Sequence, residues 1–382
     1  MQIPPFGVEQ WMNTWENNCA LNLAETCVQS LTVGELLEIA GLRGGLEAAL
    51  ADLPLTYGPI TGSERLRGLV AGLHAAKRAG NVLVTHGTIG ANMLIYQTLV
   101  EPGDRVVAIT PTYQQHTAIP RSLGAEVADL PLRAEDGYLP DLDRLRALVT
   151  PGTRIIALTN PNNPTGSLMP APMLDAIVEI ARAAGAWILS DEVYRGTAPE
   201  GLTPAIADLY ERGISTGGMS KAFSLAGLRL GWIVGPPELI AAAEVHRDYS
   251  TISVGRVDDY LACLALTEAS AILGRARRIA GENRAVLADW IAATPGVSWV
   301  PPRAGTTALL HYDWAEPSYA LAERLIAETG VMFTPGSVMG MEGTLRIGYA
   351  CAPDVLTAGL ARLAPAMAPP ASASASAAAA RT

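Results

Sequence analysis

Short apolar runs alternate with helix-forming stretches between about residues 45 and 275, and this alternation constrains the fold more than any other feature. Helical stretches such as Pro172–Arg182 place apolar residues on one face by i, i+3, i+4 spacing. The apolar runs are Val82–Val84, Arg105–Ile109, Arg154–Leu158, Trp187–Leu189 and Leu230–Val234. Strands that alternate with helices predict an α/β unit with a mostly parallel sheet, whose ligands bind at the carboxyl ends of the strands.

The remaining parts of the chain differ from this central region in pattern. We interpret residues 1–40 as an N-terminal lid or arm that packs with a smaller C-terminal unit. Residues 41–275 form the large unit, and residues 276–365 form a smaller α+β unit that begins with a long helix. Residues 366–382 are of low complexity, which predicts a disordered tail.

Composition excludes several classes of function. The 382 residues carry a formal net charge of −10, and an acidic chain repels nucleic-acid backbones and anionic membrane surfaces. No apolar run reaches the ~18 residues that span a bilayer, and the N-terminus lacks the pattern of a signal peptide. The four scattered cysteines fit neither a metal site nor a disulfide framework, which predicts reduced thiols and a cytoplasmic location.

Lysine is scarce, because the chain has only Lys77 and Lys221. Lys221 follows a Gly/Ser turn, and Arg229 lies eight residues further on. A lysine with a suitable environment forms a Schiff base with a carbonyl, and an arginine binds phosphate well. Together these residues suggest an aldehyde-bearing phosphate cofactor, namely pyridoxal phosphate.

Further motifs follow the ends of predicted strands or lie on one. An amide at Asn163 can donate to a phenolate-like oxygen, and a buried Asp191 needs a partner such as a protonated pyridine nitrogen. The Gly87 turn opens a helix whose amides can bind phosphate. Tyr113 could stack on a heterocycle, and Arg346 could bind a carboxylate with two hydrogen bonds.

In order and spacing, these motifs together resemble the class I/II aminotransferases, which are fold-type I pyridoxal phosphate enzymes. The resemblance runs from about Tyr57 to Ala350 and rests on YGPxxG, the Gly87 turn, PTY, NPNNPTG, SDEVYR, SKx(7)R and LRIGYA. It implies a large cofactor-binding domain with a mostly parallel, seven-stranded type of sheet and a smaller α+β domain. It also implies a homodimer with shared active sites.

The resemblance assigns a role to each matching residue. Lys221 forms the Schiff base and moves the proton, Asp191 pairs with the pyridine nitrogen, and Tyr194 and Asn163 hold the ring oxygen. Tyr113 stacks on the ring. Arg229 and the amides of Gly87, Thr88 and Ile89 bind the phosphate, and Tyr57 reaches the phosphate of the partner subunit. Arg346, with Asn163, binds the substrate α-carboxylate.

Two segments depart from the pattern of this family. Gly218 stands where the family often has a phosphate-binding serine, and Thr216 or Ser215 are candidates to replace it. Residues 22–36 resemble the start of capreomycidine synthases and related arginine-oxidising enzymes. In this resemblance Glu16 and Glu25 lie near the mouth of the active site, where a carboxylate could pair with a guanidinium.

We therefore predict an aminotransferase that uses an amino acid and a keto acid. The alternative is an enzyme that cyclises, oxidises or cleaves arginine or hydroxyarginine with the same cofactor. A sensor domain of a transcription regulator is disfavoured, because no basic DNA-binding module precedes the domain. A nicotinamide dehydrogenase is disfavoured because the chain lacks GxGxxG after a first strand. The identity of the substrate does not follow from the sequence.

Overall fold

The computed structural model describes residues 2–367, so most of the tail predicted to be disordered lies outside the described residues. The described chain alternates strands and helices from end to end. The strands are β1 (Leu21–Asn22), β2 (Val82–Thr85), β3 (Arg105–Thr110), β4 (Glu126–Pro131), β5 (Thr153–Thr159), β6 (Trp187–Asp191), β7 (Gly213–Gly218), β8 (Gly231–Val234), β9 (Val297–Trp299), β10 (Thr307–Tyr312), β11 (Val331–Met332), β12 (Thr334–Pro335) and β13 (Thr344–Gly348).

The α-helices of this region range from one turn to 24 residues. They are α1 (Gly7–Trp15), α2 (Val33–Ile39), α3 (Leu46–Ala51), α4 (Glu64–Ala71), α5 (Gly87–Leu99), α6 (Gln115–Ser122), α7 (Leu142–Leu148), α8 (Ala171–Ala184), α9 (Ile206–Leu209), α10 (Pro237–Arg247), α11 (Arg256–Thr267), α12 (Ala269–Ala292), α13 (Ser318–Thr329) and α14 (Pro353–Leu363). None of them is long and apolar enough to cross a membrane.

The large sheet has seven strands in the order β2-β8-β7-β6-β5-β3-β4. Strand β8 runs antiparallel to both of its neighbours, and the other pairs are parallel. Central strands such as β5 are buried on both faces. Their sequences are therefore continuous apolar runs and do not alternate between apolar and polar residues. The predicted α/β class, mostly parallel sheet and number of strands are confirmed.

A second, antiparallel sheet of four strands in the order β12-β13-β10-β9 lies in the C-terminal part of the described chain. The N-terminal segment packs with this unit, because β1 pairs with β11 and Trp11 donates its indole N–H to the carbonyl of Phe333 at 2.7 Å. Helix α2 belongs elsewhere, since Leu36 and Leu37 enter the core of the large unit.

Helix α12 passes from one unit to the other. Its first residues, including Ile272 and Leu273, enter the core of the large unit, and Ile279 and Leu287 enter the core of the small unit. The boundary expected at residue 275 therefore falls inside a continuous helix. The division of the chain into domains stays a prediction.

Trp11 should contribute strongly to stability, because its side chain is only 1% exposed and its indole N–H is hydrogen-bonded. We expect Trp11→Ala to lower the free energy of unfolding by about 3–5 kcal/mol in urea denaturation. Trp11→Phe, which keeps an aromatic ring, should lower the free energy of unfolding by a clearly smaller amount. An alanine variant as stable as the wild type would show that α1 is not docked as described.

Candidate active site

A cavity of about 350 Å³ opens where the carboxyl ends of the parallel strands meet the N-terminal segment and β13. Thr159 and Asp191 end β5 and β6, and Lys221 follows β7. The sequence of each strand is apolar until it leaves the core, so the polar side chains come together at this edge. Most predicted site residues line the cavity: Glu16, Glu25, Thr88, Ile89, Tyr113, Asn163, Asp191, Tyr194, Lys221, Arg229 and Arg346.

Asp191 is a buried carboxylate, with 5% of its surface exposed. It accepts hydrogen bonds from Asn92 Nδ2 at 2.8 Å and from the amide of Val193 at 3.1 Å. Asn92 is itself oriented by Thr216, whose hydroxyl donates to Asn92 Oδ1 at 2.7 Å. Both oxygens of the carboxylate therefore have hydrogen-bond partners within the protein.

His116 and Tyr96 extend this buried arrangement. His116 Nε2 lies 3.7 Å from Asp191 Oδ2, and the hydroxyl of Tyr96 lies 2.9 Å from His116 Nδ1. Burial raises the pKa of Tyr96 well above its ordinary value, so the phenol stays protonated and can donate to Nδ1. His116 Nε2 is buried without a hydrogen-bond partner and faces the Asp191 carboxylate.

Sequence reasoning missed Asn92 and His116 as site residues. Each lies a few residues beyond a recognised motif, on the helix that follows it. Asn92 is five residues after Gly87 on α5, and His116 is three residues after Tyr113 on α6. The signal in both cases was a polar residue on the buried face of a helix next to a strand end.

The end of the cavity beside the N-terminus of α5 is built from close backbone approaches. Gly87 has a φ of 68°, a conformation that favours glycine, and a Cβ there would lie 3.0 Å from Arg229 Nη2. A Cβ on Gly231 would lie 2.4 Å from the amide nitrogen of Thr88. Arg229 and the N-terminus of α5 thus lie close together and could hold one anion.

Thr88 lies against Gly218, the position at which the family often has a serine. Its Oγ1 is buried without a hydrogen-bond partner, and a Cβ on Gly218 would lie 2.6 Å from it. The hydroxyls considered as substitutes are engaged elsewhere, because Thr216 donates to Asn92 and Ser215 donates to Glu192. The unpartnered Thr88 hydroxyl fits a phosphate oxygen, and Gly218 leaves it room.

Lys221 lines the cavity. Its Nζ is 3.4 Å from Cys27 Sγ and 3.6 Å from Glu25 Oε1. Burial opposes the charge on Lys221. Cys27 and Tyr194, where they are ionised, and the Glu25 carboxylate act in the opposite direction and raise the pKa of the lysine.

Two aromatic side chains border the space above Lys221 and Asp191. Tyr194 is 2% exposed. The hydroxyl of Tyr113 donates to Glu9 Oε1 at 2.6 Å, so a residue of α1 orients the ring expected to stack on the cofactor. Glu9 is a site residue that the sequence did not reveal, because it precedes the segment with recognisable similarity.

Arg346 lies on β13, with 3% of its surface exposed. Its Nη2 donates to the carbonyl of Ala24 at 3.2 Å and to Thr334 Oγ1 at 3.0 Å, and its Nη1 donates to Asn163 Oδ1 at 3.3 Å. Its Nε is buried without a partner. A buried guanidinium with an unused donor is suited to a carboxylate ligand.

Three carboxylates of the N-terminal segment, Glu9, Glu16 and Glu25, line one side of the cavity. We call this side the acidic wall. Burial raises the pKa of Glu16, and the negative charges of Glu25 and Glu9 raise it further. Tyr57 lies outside the cavity and is 78% exposed, so its role in a partner subunit stays a prediction.

A buried carboxylate, a lysine and a phosphate cradle at the strand ends of this fold define a class of pyridoxal phosphate enzymes. The chain belongs to the aminotransferase class I and II family, whose model matches residues 45–363. Pyridoxal 5′-phosphate is accordingly its cofactor, and the unpartnered Thr88 hydroxyl and the cradle fit that group. The predicted family, fold type and cofactor are confirmed.

Known relatives cover nearly the whole chain. Capreomycidine synthase of Streptomyces vinaceus is 32% identical over 94% of this chain and 93% of its own length. An aspartate/prephenate aminotransferase of Thermus thermophilus is 30% identical over 83% of this chain and 84% of its own. A solved pyridoxal phosphate-dependent aminotransferase from Streptococcus suis has a TM-score of 0.93 and 39% identity, covering 96% of this chain and 98% of that one.

If the Thr88 hydroxyl binds the cofactor phosphate, its removal should weaken cofactor binding. We expect Thr88→Val to raise the Kd of pyridoxal phosphate about 10- to 150-fold, because a hydrogen bond to a charged group contributes roughly 1.5–3 kcal/mol. The measurement is absorbance titration of the apoenzyme. Thr98→Val on the same helix, where the hydroxyl bonds only to Leu94, is the control and should change nothing.

The family serine should not fit at position 218 while Thr88 is present. We expect Gly218→Ser alone to weaken cofactor binding, because its side chain would crowd Thr88 Oγ1. Adding Thr88→Ala should restore binding relative to Gly218→Ser. Tighter binding by Gly218→Ser alone would contradict the account of this cradle.

Proposed function

We propose that this chain is an aminotransferase that moves an amino group from an amino acid to a keto acid. The observation that carries the proposal is the placement of Lys221 and Arg346 in one cavity with the hydrogen-bonded Asp191. When bound, pyridoxal phosphate supplies an aldehyde for attachment and a ring that withdraws electrons from the substrate. The protein must then position the substrate and move its protons.

Each of these tasks has a candidate residue. Lys221 would attach the cofactor and afterwards carry the proton of the substrate α-carbon. Arg346, with Asn163 beside it, would bind the α-carboxylate and fix which bond of the α-carbon faces Lys221. Asp191 would hold a proton on the ring nitrogen, while Tyr194 and Asn163 would bind the ring oxygen and Tyr113 would pack on the ring.

The acidic wall favours a second candidate function, the processing of an amino acid with a guanidino side chain. Burial, and after it the negative charges of Glu25 and Glu9, disfavour the charged form of Glu16, and a bound cation would favour it. Within residues 2–367, the cations that line the cavity are Lys221, Arg229 and Arg346. A substrate with an anionic side chain therefore gains no further cation from this chain. The similarity to capreomycidine synthase supports cyclisation as one outcome of such chemistry.

We further propose a cytoplasmic homodimer with shared active sites. Several large apolar side chains are exposed to solvent, among them Leu55, Tyr57 and Tyr249, with 85%, 78% and 92% of their surfaces exposed. Exposed apolar groups of this kind favour association with a second copy. The carbonyl of Val254 lies against Gly58, so the segment of Tyr57 adjoins the loop after α10.

The reaction can be identified from the products of single amino acids. We expect holoenzyme to convert its amino donor only when a keto acid such as pyruvate or α-ketoglutarate is present, with one amino product per donor consumed. Mass spectrometry with and without keto acid and oxygen measures this. Lys221→Ala is the inactive control. Turnover of arginine without any keto acid would contradict transamination and support the second candidate.

The acidic wall can be tested separately from the reaction type. If Glu16 pairs with a guanidinium, Glu16→Gln should lower kcat/KM for arginine about 10- to 150-fold, since such a bond is worth roughly 1.5–3 kcal/mol. Turnover of alanine should change little. Glu47→Gln, on the exposed face of α3, is the control for loss of one negative charge. Equal losses for both substrates would remove the guanidino hypothesis.

A further inference from the structure

Glu25 holds its carboxylate in one place through its own backbone. The carboxylate accepts the amides of Thr26 at 2.6 Å and Cys27 at 2.8 Å. The segment around it is bound to the small unit, because Gly348 donates its amide to the carbonyl of Leu23 at 2.7 Å. A Cβ on Gly348 would come within 1.7 Å of the carbonyl oxygen of Glu25, so the two backbones touch. Glu25 therefore has little freedom to leave Lys221.

The groups in contact with Lys221 differ in charge at neutral pH. Burial raises the pKa of Cys27 to about 11 and also raises the pKa of Tyr194, so both are neutral. Burial acts against the charge of Glu25, but Lys221 and the bonds from Cys27 and Thr26 lower its pKa to about 2. Other charged groups that face the cavity from neighbouring elements are Glu9, Glu16, Asp191, Arg229 and Arg346.

We propose that Glu25 is a positioning residue for Lys221, which stabilises positive charge on the lysine nitrogen both in the free lysine and after attachment to the cofactor. The proposal rests on the proposed attachment at Lys221. It differs from the expectation that Glu25 binds a substrate guanidinium, because its partner is the lysine of the same chain. At 3.6 Å the carboxylate is close enough to act on the nitrogen directly.

This charge would have two effects on the reaction. Positive charge on the Lys221 nitrogen would make it easier for the amine of a substrate to displace the lysine from the cofactor. Once a substrate has displaced Lys221, the carboxylate stabilises the lysine after it has accepted the proton of the α-carbon. The same group thus favours both entry of the substrate and removal of its proton.

The apoenzyme allows a test that needs neither cofactor nor turnover. Protein labelled with ¹³C at the lysine ε-carbon gives two signals, from Lys77 and Lys221, which Lys77→Arg assigns. We expect Glu25→Gln to lower the pKa of Lys221 by about 1–3 units, the usual effect of an opposite charge at this distance. Glu25→Asp, which keeps the charge, should recover part of the shift. Glu16→Gln is the control and should shift the pKa much less.

In the holoenzyme, absorbance provides a second measurement of the charge on the Lys221 nitrogen. We expect the pH at which the lysine–cofactor linkage loses its proton to fall in Glu25→Gln in the same direction as in the apoenzyme. Unchanged titration of Lys221 in both forms, or equal behaviour of the Gln and Asp variants, would overturn the proposal.

Borohydride reduction followed by peptide mapping checks the attachment itself. Label on Lys77 would refute the attachment at Lys221, while the apoenzyme titration would still report on Glu25.

Discussion

A single buried carboxylate, that of Asp191, ties together the elements that form the site. It ends β6 and binds Asn92 of α5, which is held in turn by Thr216 of β7, and it faces His116 of α6. A buried charge without such partners would cost several kcal/mol, so these helices and strands must keep their relative positions. Lys221 and the N-terminus of α5 are both placed relative to this point.

The class of fold and most of the site follow from the sequence because buried parallel strands are apolar along their length and end in recognisable turns. Two strands of the large sheet were not predicted. Strand β4 (EVADLP) lies at the edge, where it is largely exposed and carries acidic residues. Strand β7 (GISTGG) is fully buried but consists mostly of small residues, because helices and the phosphate cradle approach it closely. Neither pattern resembles a typical strand.

The parts of the site that the sequence did not predict depend on contacts between residues far apart in the chain. The hydrogen bond from Tyr113 to Glu9 joins residues 104 positions apart, and no local pattern links them. Likewise, Thr88 lies against Gly218 although it is 130 residues earlier in the chain, so the crowding between them appears only in three dimensions. The sequence placed Glu16 and Glu25 near the mouth of the site, but it did not indicate that Glu25 would face Lys221.

Helix α12 has a consequence for the thermodynamics of the whole chain. It is 24 residues long, or about 36 Å, and its two ends belong to different hydrophobic cores. Loss of either core would expose apolar side chains of the same continuous helix and weaken the other. The two units are therefore coupled as one cooperative folding block, in which the stability of the cofactor-binding sheet depends on the integrity of the small sheet.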